Sequence, residues 1–363
     1  VMDPTKYSPL PVYVNKVGRM FIGPELLDIK FYPIMEFRES QLTEVVIPVG
    51  ETFPCVQKRF GLFRKKYPFD VAFCAFHGAD GESGGFQGLF QAAGIPYTGA
   101  DIKSSAVYMD KVLTKMICRD LGIKVLPDFT IAKPKDGSFD VKKLAAEMPL
   151  PYPVMAKPRS LGSSVGVRRV KDQSELETAC LEIFKLGDDV LCEPFVENLA
   201  EYNIAVVKNK DGKIITSAIE RPNASGDVLS FADKYLSAKG AKKKCPKKMG
   251  FSVMPTMELL AERREFCPTL APDTENFIRE SAVKLLTAMG GTGAPRIDFL
   301  CNEKTGEIWL GEVNPIPGSF AFHLWVLSEY KFLYGDLVDI IICNANAQNQ
   351  NIDLKQSASV VFK

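Results

Sequence analysis

The sequence predicts an α/β protein of two or three domains, and three observations carry that expectation. At roughly 150 residues per domain, 363 residues exceed one domain and give each unit enough chain to bury a core. Strand-like and helix-like stretches alternate through residues 1–103. A nearly continuous apolar run at 71–76 then leads through a glycine-rich turn into a helical stretch, the order expected of an open parallel α/β sheet with a ligand site at the strand's carboxyl end.

Val12, Tyr13 and Val14 read as a strand, as do residues 45–49, and the run at 71–76 has the pattern of a parallel strand buried on both faces. His77 to Gly85 form the turn, and a helix to Ala93 ends at Gly94-Ile95-Pro96. Across 104–122, Val112, Leu113, Met116, Ile117 and Leu121 keep helical spacing, with serines at the start and Gly122 as the stop. A strand at 152–157, a loop at 158–165 and a strand at 166–170 follow. Ser174-Glu175-Leu176-Glu177 is a capping-box pattern that opens a helix ending near Gly187. The last third holds a polar stretch, a helix over 273–289 and a hairpin pairing 296–300 with 308–314. The tail at 344–350 is poor in apolar residues and is expected to be loosely ordered. Residues 237–250 carry Lys239, Lys242, Lys243, Lys244, Lys247 and Lys248, either a solvated loop or a lid near an anionic ligand.

Composition narrows the function. With 45 Lys+Arg against 44 Asp+Glu the net charge is +1, which argues against nucleic acid as a partner. Two histidines, His77 and His323, exclude a three-histidine metal site. Nine scattered cysteines without a C-x-x-C pair fit a reduced cytosolic protein. No apolar run approaches the ~20 residues that cross a bilayer, and the N-terminus lacks signal-peptide character, so the expected location is cytoplasmic with no membrane partner.

Three segments carry chemistry. In the hairpin, residues two apart share a face, so Arg296 goes with Asp298 and Glu312 with Asn314, with Ile308 and Leu310 in the same alternation. Antiparallel pairing places Asp298 opposite 310–312. Two carboxylates and an amide oxygen beside one guanidinium suit Mg²⁺, or else form a cross-strand ion-pair network on an exposed face. The loop Lys157-Pro158-Arg159-Ser160-Leu161-Gly162-Ser163-Ser164-Val165-Gly166-Val167 can offer amides and hydroxyls to phosphate, or is a flexible hairpin; it is not a Walker loop. Glu193-Pro194-Phe195-Val196 can face an adenine edge, although a plain domain connection reads better.

In this order, with His77-Gly78 through Gln87-Gly88, Tyr97-Thr98-Gly99, Met109-Asp110-Lys111, Lys234-Tyr235, R-x-DF at 296–299 and E-x-N-x-x-PG at 312–318, the chain resembles the D-alanine–D-alanine ligase family of the ATP-grasp superfamily. The resemblance implies three domains: 1–103, an N-terminal open parallel α/β domain; 104–192, a central subdomain; and 193–363, a C-terminal subdomain, the last two sandwiching ATP. It implies that Lys111 and Lys157 meet phosphates, that Gly162, Ser163, Ser164 and Val165 close over them, and that Glu193 accepts from the adenine amino group. Phe195 and Val196 would offer backbone contacts and Glu201 would reach the ribose. Asp298, Glu312 and Asn314 would hold two Mg²⁺ ions, with Mn²⁺ as a substitute. His77, Glu82, Arg296, Gly318, His323 and Leu324 would bind the amino acids. Arg296 and the Gly318 amide would stabilise an oxyanion, and Ser163, Lys234 and Tyr235 would complete the catalytic set. Small-molecule partners and a homodimer fit the same family.

Two departures bear on substrate. The chain enters at Val1-Met2-Asp3-Pro4, close to the family's second strand, so no residue takes the glutamate that binds the first ammonium, and an omitted upstream strand is the expectation. After Gly318, Phe320 replaces a small polar residue, and His323 stands where the family's serine meets the second carboxylate. Ser83 and Leu161 stand where acidic residues are common and leave the reaction class unchanged. A ligase for other amino acids and a nucleotide-binding homologue without catalysis are the competing readings.

Overall fold

The computed structural model describes residues 2–28, 30–32, 38–135, 140–162, 164–223 and 264–349. It builds three sheets. The first holds β1 (Val12–Val14), β2 (Met20–Ile22), β3 (Thr43–Val46), β4 (Cys55–Lys58) and β5 (Lys66–Pro68) in chain order. Every pair in it is antiparallel, which corrects the expected parallel N-terminal sheet. The reason lies in the connections: parallel neighbours need a crossover of a dozen or more residues, and most of these links are shorter. The apolar run at 71–76 forms one parallel bridge, Ala72 to Tyr97, rather than a strand. Its burial comes from packing, with Cys74, Phe90 and Tyr97 in one core.

Helices α1 (Ala79–Glu82), α2 (Gly85–Ala92), α3 (Ile102–Met109) and α4 (Lys111–Asp120) follow. The single helix expected over 104–122 is thus two. Asp110 breaks it, leaving the helical region at φ −102°, ψ 105°, and its carboxylate caps α4 by accepting from the amides of Val112 and Leu113 at 3.0 and 3.1 Å. That cap makes Lys111 the first residue of α4.

The second sheet, ordered β6-β9-β7-β8, contains β6 (Phe129–Ile131), β7 (Val154–Pro158), β8 (Arg168–Val170) and β9 (Val190–Pro194). Against it pack α5 (Val141–Ala146) and α6 (Gln173–Lys185), with Leu176, Ala179, Cys180 and Ile183 fully buried. The capping box sits earlier than expected: Asp172 accepts from the Glu175 amide, and Glu175 accepts from the Lys171 amide.

The third sheet, ordered β12-β11-β10-β13-β14, is built from β10 (Leu199–Lys208), β11 (Ile214–Pro222), β12 (Arg264–Phe266), β13 (Arg296–Asn302) and β14 (Ile308–Asn314). Alternation gives it two buried faces. One takes α7 (Pro272–Ala288), through Ile278, Ala282, Leu285 and Leu286 against Ile204, Val206 and Phe299. The other takes α8 (Phe322–Val326) and α9 (Tyr334–Asn349), through Leu324, Trp325 and Leu337 against Ala205 and Val207. The tail at 344–349 is therefore helical, because burying Leu337, Ile340 and Ile341 holds the whole helix in place. Among the described residues no helix is long and apolar enough to cross a membrane.

Candidate active site

The third sheet lays its polar residues in rows. Across adjacent strands Phe266 stands opposite Glu220, Glu220 opposite Asn203, Asn203 opposite Asp298, and Asp298 opposite Glu312. Residues in register share a face, so one polar row crosses the sheet. Two residues along, Arg296 faces Asn314.

The hairpin register includes a bulge. Asp298 pairs with Glu312 but Phe299 pairs with Leu310, leaving Gly311 as the extra residue. The bulge corrects the expected alternation, because it turns Ile308 and Leu310 into the α7 core while Glu312 and Asn314 stay on the polar face. Gly311 suits this place, since a Cβ there would stand 3.1 Å from the Asp298 carbonyl oxygen and from Leu300 Cγ.

Asp298 is buried and engaged on both carboxylate oxygens: Arg296 donates through Nε at 2.6 Å and Nη2 at 2.7 Å, and Asn314 Nδ2 donates at 2.9 Å. Burial disfavours the Arg296 charge, but Asp298, with Glu220 and Glu312, more than offsets this and raises its pKa. Asp298 therefore forms an ion pair with Arg296, and it does so on a buried face, not the exposed one that the alternative to a metal site assumed. Among the described residues no cluster of three His, Cys, Asp or Glu stands ready for a metal. The donor set of Asp298, Glu312 and the Asn314 amide oxygen, all hard oxygens, nevertheless fits a divalent cation of the Mg²⁺ kind, which would compete with Arg296 for Asp298.

Two clefts meet at this row. The first is lined by Lys111, Lys157, Ser164, Glu193, Phe195, Val196, Glu201, Asp298 and Glu312 over apolar Leu126, Met155, Leu199 and Leu300. Lys111 Nζ donates to the Leu161 carbonyl at 2.6 Å, and burial lowers its pKa. Glu193 is paired by Lys157 on one oxygen and by Lys115 on the other. Burial pushes its carboxyl up, the two lysines outweigh that, and it stays ionised. The Phe195 amide donates to the Pro153 carbonyl at 3.1 Å and its ring lies 4.0 Å from the Arg169 guanidinium carbon, which leaves its carbonyl and the Val196 backbone for the expected backbone contacts.

The second cleft is lined by His77, Gly78, Glu82, Gly162, Arg296, Asn314 and Gly318, and shares Lys111, Leu161 and Glu312 with the first. Glu82 accepts from the Gly78 amide, and burial raises its pKa. Val165 lines neither cleft; its amide bonds to the Gly162 carbonyl at 3.3 Å.

His323 and Leu324 also line neither cleft, contrary to their expected contact with an amino acid. Leu324 is fully buried, and His323 Nε2 lies 2.9 Å from Glu220 in the polar row. Phe320 is buried edge-on against Phe73, 5.3 Å between centroids. The turn that sends these side chains into the core follows Gly318, with Ser319, Phe320 and Ala321 all near φ +50°. Ser163, Lys234, Tyr235 and the lysine-rich 237–250 lie outside the described residues.

Lys115, Asn203, Glu220 and Arg264 were not singled out by the sequence. Glu220 accepts from Arg264 at 2.5 Å and from Asn203 at 3.2 Å as well as facing His323; burial pushes its carboxyl up, but the His323 hydrogen bond and the charges of Arg264 and Arg296 outweigh that and lower its pKa to about 2. The signals were present: Lys115 stands one helical turn after Lys111, and Glu220 is a lone acid in the strand Ile-Ile-Thr-Ser-Ala-Ile-Glu.

A cleft with two lysines between two sheets, lined by residues of a glycine-serine loop and by an acidic hairpin, fits the ATP-grasp class. The comparisons agree and are more specific. A family model described as D-ala D-ala ligase N-terminus matches residues 1–100, and one described as D-ala D-ala ligase C-terminus matches 117–265 and 258–343. A D-alanine--D-alanine ligase of Thermosipho melanesiensis is 32% identical over 335 residues, covering 91% of this chain and 83% of the relative. The crystal structure of the Helicobacter pylori D-Alanine-D-Alanine Ligase matches at a TM-score of 0.68 and 26% identity, covering 92% of this chain and 88% of that one. The Coxiella burnetii D-alanine-D-alanine ligase matches in fold at 0.71 over 100% of this chain and 92% of that one, at 23% identity. The chain belongs to the D-alanine–D-alanine ligase family and is an ATP-dependent ligase.

Proposed function

We propose that the protein joins two D-alanine molecules, forming the peptide bond at the expense of ATP and releasing ADP and phosphate. The observation that carries this reading is the wall shared by the two clefts: Lys111, Leu161 and Glu312 line both, so a carboxylate held in the second cleft meets a phosphate tail held in the first. A carboxylate is a poor acyl donor. Attack of its oxygen on the γ-phosphorus, with cleavage of the bond to ADP, converts it into an acyl phosphate with a good leaving group.

Lys111 and Lys157 neutralise the transferred phosphoryl oxygens, and Glu193 and Glu201 hold base and ribose. Asp298, Glu312 and Asn314 would hold the divalent cation, two Mg²⁺ ions in this reading with Mn²⁺ able to substitute. When bound, it supplies charge neutralisation and alignment of the phosphates. His77 and Glu82 hold the amino acid on the far side of the second cleft. Arg296 and the Gly318 amide stabilise the oxyanion formed when the amine attacks the carbonyl, where one such donor contributes roughly 3–4 kcal/mol. Ser163, Lys234 and Tyr235 complete the cover that keeps water from the acyl phosphate. The division at residues 103 and 192, a cytoplasmic location, a homodimer and the absence of nucleic-acid and membrane partners belong to the same reading.

Phosphate release measured with ATP across a panel of D- and L-amino acids tests it. Turnover with D-alanine alone is expected; turnover only with other amino acids would replace D-alanine as substrate. With Phe320 and His323 both buried, the main sequence-level motive for a different acceptor loses its support.

A further inference from the structure

Beneath the first cleft lies a cation that the ligase reading leaves without a task. Lys115 is 1% exposed and lines neither cleft, so it cannot touch a bound nucleotide. Its ammonium donates to the Leu126 carbonyl at 2.7 Å, lies 3.7 Å from Asp128 and pairs with Glu193. Burying an ammonium this far is costly unless it is hydrogen-bonded and paired; Leu126 and Glu193 take two of its donors, and the Asp128 charge nearby adds attraction without a hydrogen bond. Of these partners Leu126 and Glu193 line the cleft, and Glu193 alone of the three brings a charged group to it, so the electrostatic influence of Lys115 on the cleft passes through Glu193.

The two lysines on Glu193 differ in reach. Lys157 lines the cleft with its side chain 13% exposed, so a polyphosphate in the cleft attracts its ammonium away from the carboxylate. Lys115 has no such path. We propose that Lys115 is a positioning residue that keeps Glu193 a fixed anionic acceptor once Lys157 has turned to the phosphates. By doing so it sets selectivity for a purine carrying a 6-amino donor over one carrying a 6-oxo group. This rests on the reading of the first cleft as the nucleotide site with Glu193 at the base. The physical ground is that a carbonyl oxygen facing a fixed carboxylate is repelled, whereas an amino group donates to it.

The test compares kcat/KM for ATP and ITP, whose bases differ in the 6-amino and 6-oxo groups, in the full chain carrying Lys115→Met or Glu193→Gln. Lys115→Met leaves Glu193 with Lys157 alone and Asp128 with Arg119 alone, so Lys115→Met with Asp128→Asn is included as a second variant that lowers the buried negative charge, its fold checked by calorimetric Tm. The ATP-to-ITP preference is expected to shrink by about tenfold or more on loss of Lys115, read as a rise in KM for ATP with a smaller change in kcat. A preference that survives in a folded variant lacking Lys115 while Glu193→Gln collapses it would overturn the role of Lys115 and leave the nucleotide reading standing. A preference that survives Glu193→Gln as well would overturn both.

Discussion

At the scale of the residue, the buried carboxylates Asp298, Glu193 and Glu220 each have two or more partners. Asp298 is held by Arg296 and Asn314, so it is already oriented, and a metal must compete for it. Asp298→Asn keeps the volume and removes the charge; turnover should fall by about a hundredfold or more, the size of effect seen when one strong electrostatic contact to a transition state is removed. Steady-state phosphate release at saturating Mg²⁺ checks this, and unchanged activity would remove Asp298 from the metal set. Glu220 makes a second test, on stability. Its carboxyl is lowered from 4.5 to about 2, so its contribution is fully present above about pH 4.5 and is lost as pH falls toward 2. Glu220→Gln should cost about 3 kcal/mol or more at pH 7, as expected when one partner leaves a buried ion pair. The gap in calorimetric Tm between it and the wild type should hold from pH 7 to about 5 and narrow below that. His323, read from the sequence as a substrate ligand, is a member of this pair, and a single sequence gives no sign of Glu220 as its partner because 103 residues separate them.

At the scale of the element, position is set by small irregularities. Asp110 breaks a helix that apolar spacing alone made continuous, and the break places Lys111 at the cleft. Gly311 inserts one residue into β14 and so separates Glu312 from the apolar alternation of Ile308 and Leu310. Gly311→Ala would push against the Asp298 carbonyl and Leu300, costing about 1–3 kcal/mol through overpacking. The expected outcome is a lower Tm together with a higher Mg²⁺ requirement, measured by titrating Mg²⁺ against phosphate release; a lower Tm with an unchanged requirement would separate the bulge from the metal site. The hairpin, the loop after Lys157 and the helix at 272–288 were legible because each has a local signature of alternation, glycine content or period. The break at Asp110 and the bulge were not, since both depend on which side of the core a neighbouring element supplies.

At the scale of the molecule, the α/β class and the order of motifs were legible from residue 77 to residue 318, whereas the antiparallel N-terminal sheet and the helical end at 344–349 were decided by long-range packing. The N-terminal elements join the third sheet through close backbone contact. The Asp101 amide donates to Thr292 Oγ1 at 3.1 Å, Ser104 Oγ donates to the Met289 carbonyl at 2.9 Å, and a Cβ on Gly293 would stand 2.7 Å from the Ala100 nitrogen at φ +81°. Gly293→Ala should therefore lower the calorimetric Tm by several degrees, through both the left-handed backbone and the clash. The two clefts adjoin through Lys111, Leu161 and Glu312, and the proposed acyl transfer through a phosphorylated carboxylate rests on that proximity. The most direct measurement uses D-alanine labelled with ¹⁸O in its carboxylate, with mass analysis of the phosphate released during dipeptide synthesis. One labelled oxygen per phosphate is predicted, carried over from the carboxylate that attacked ATP; dipeptide formed with unlabelled phosphate would contradict the account.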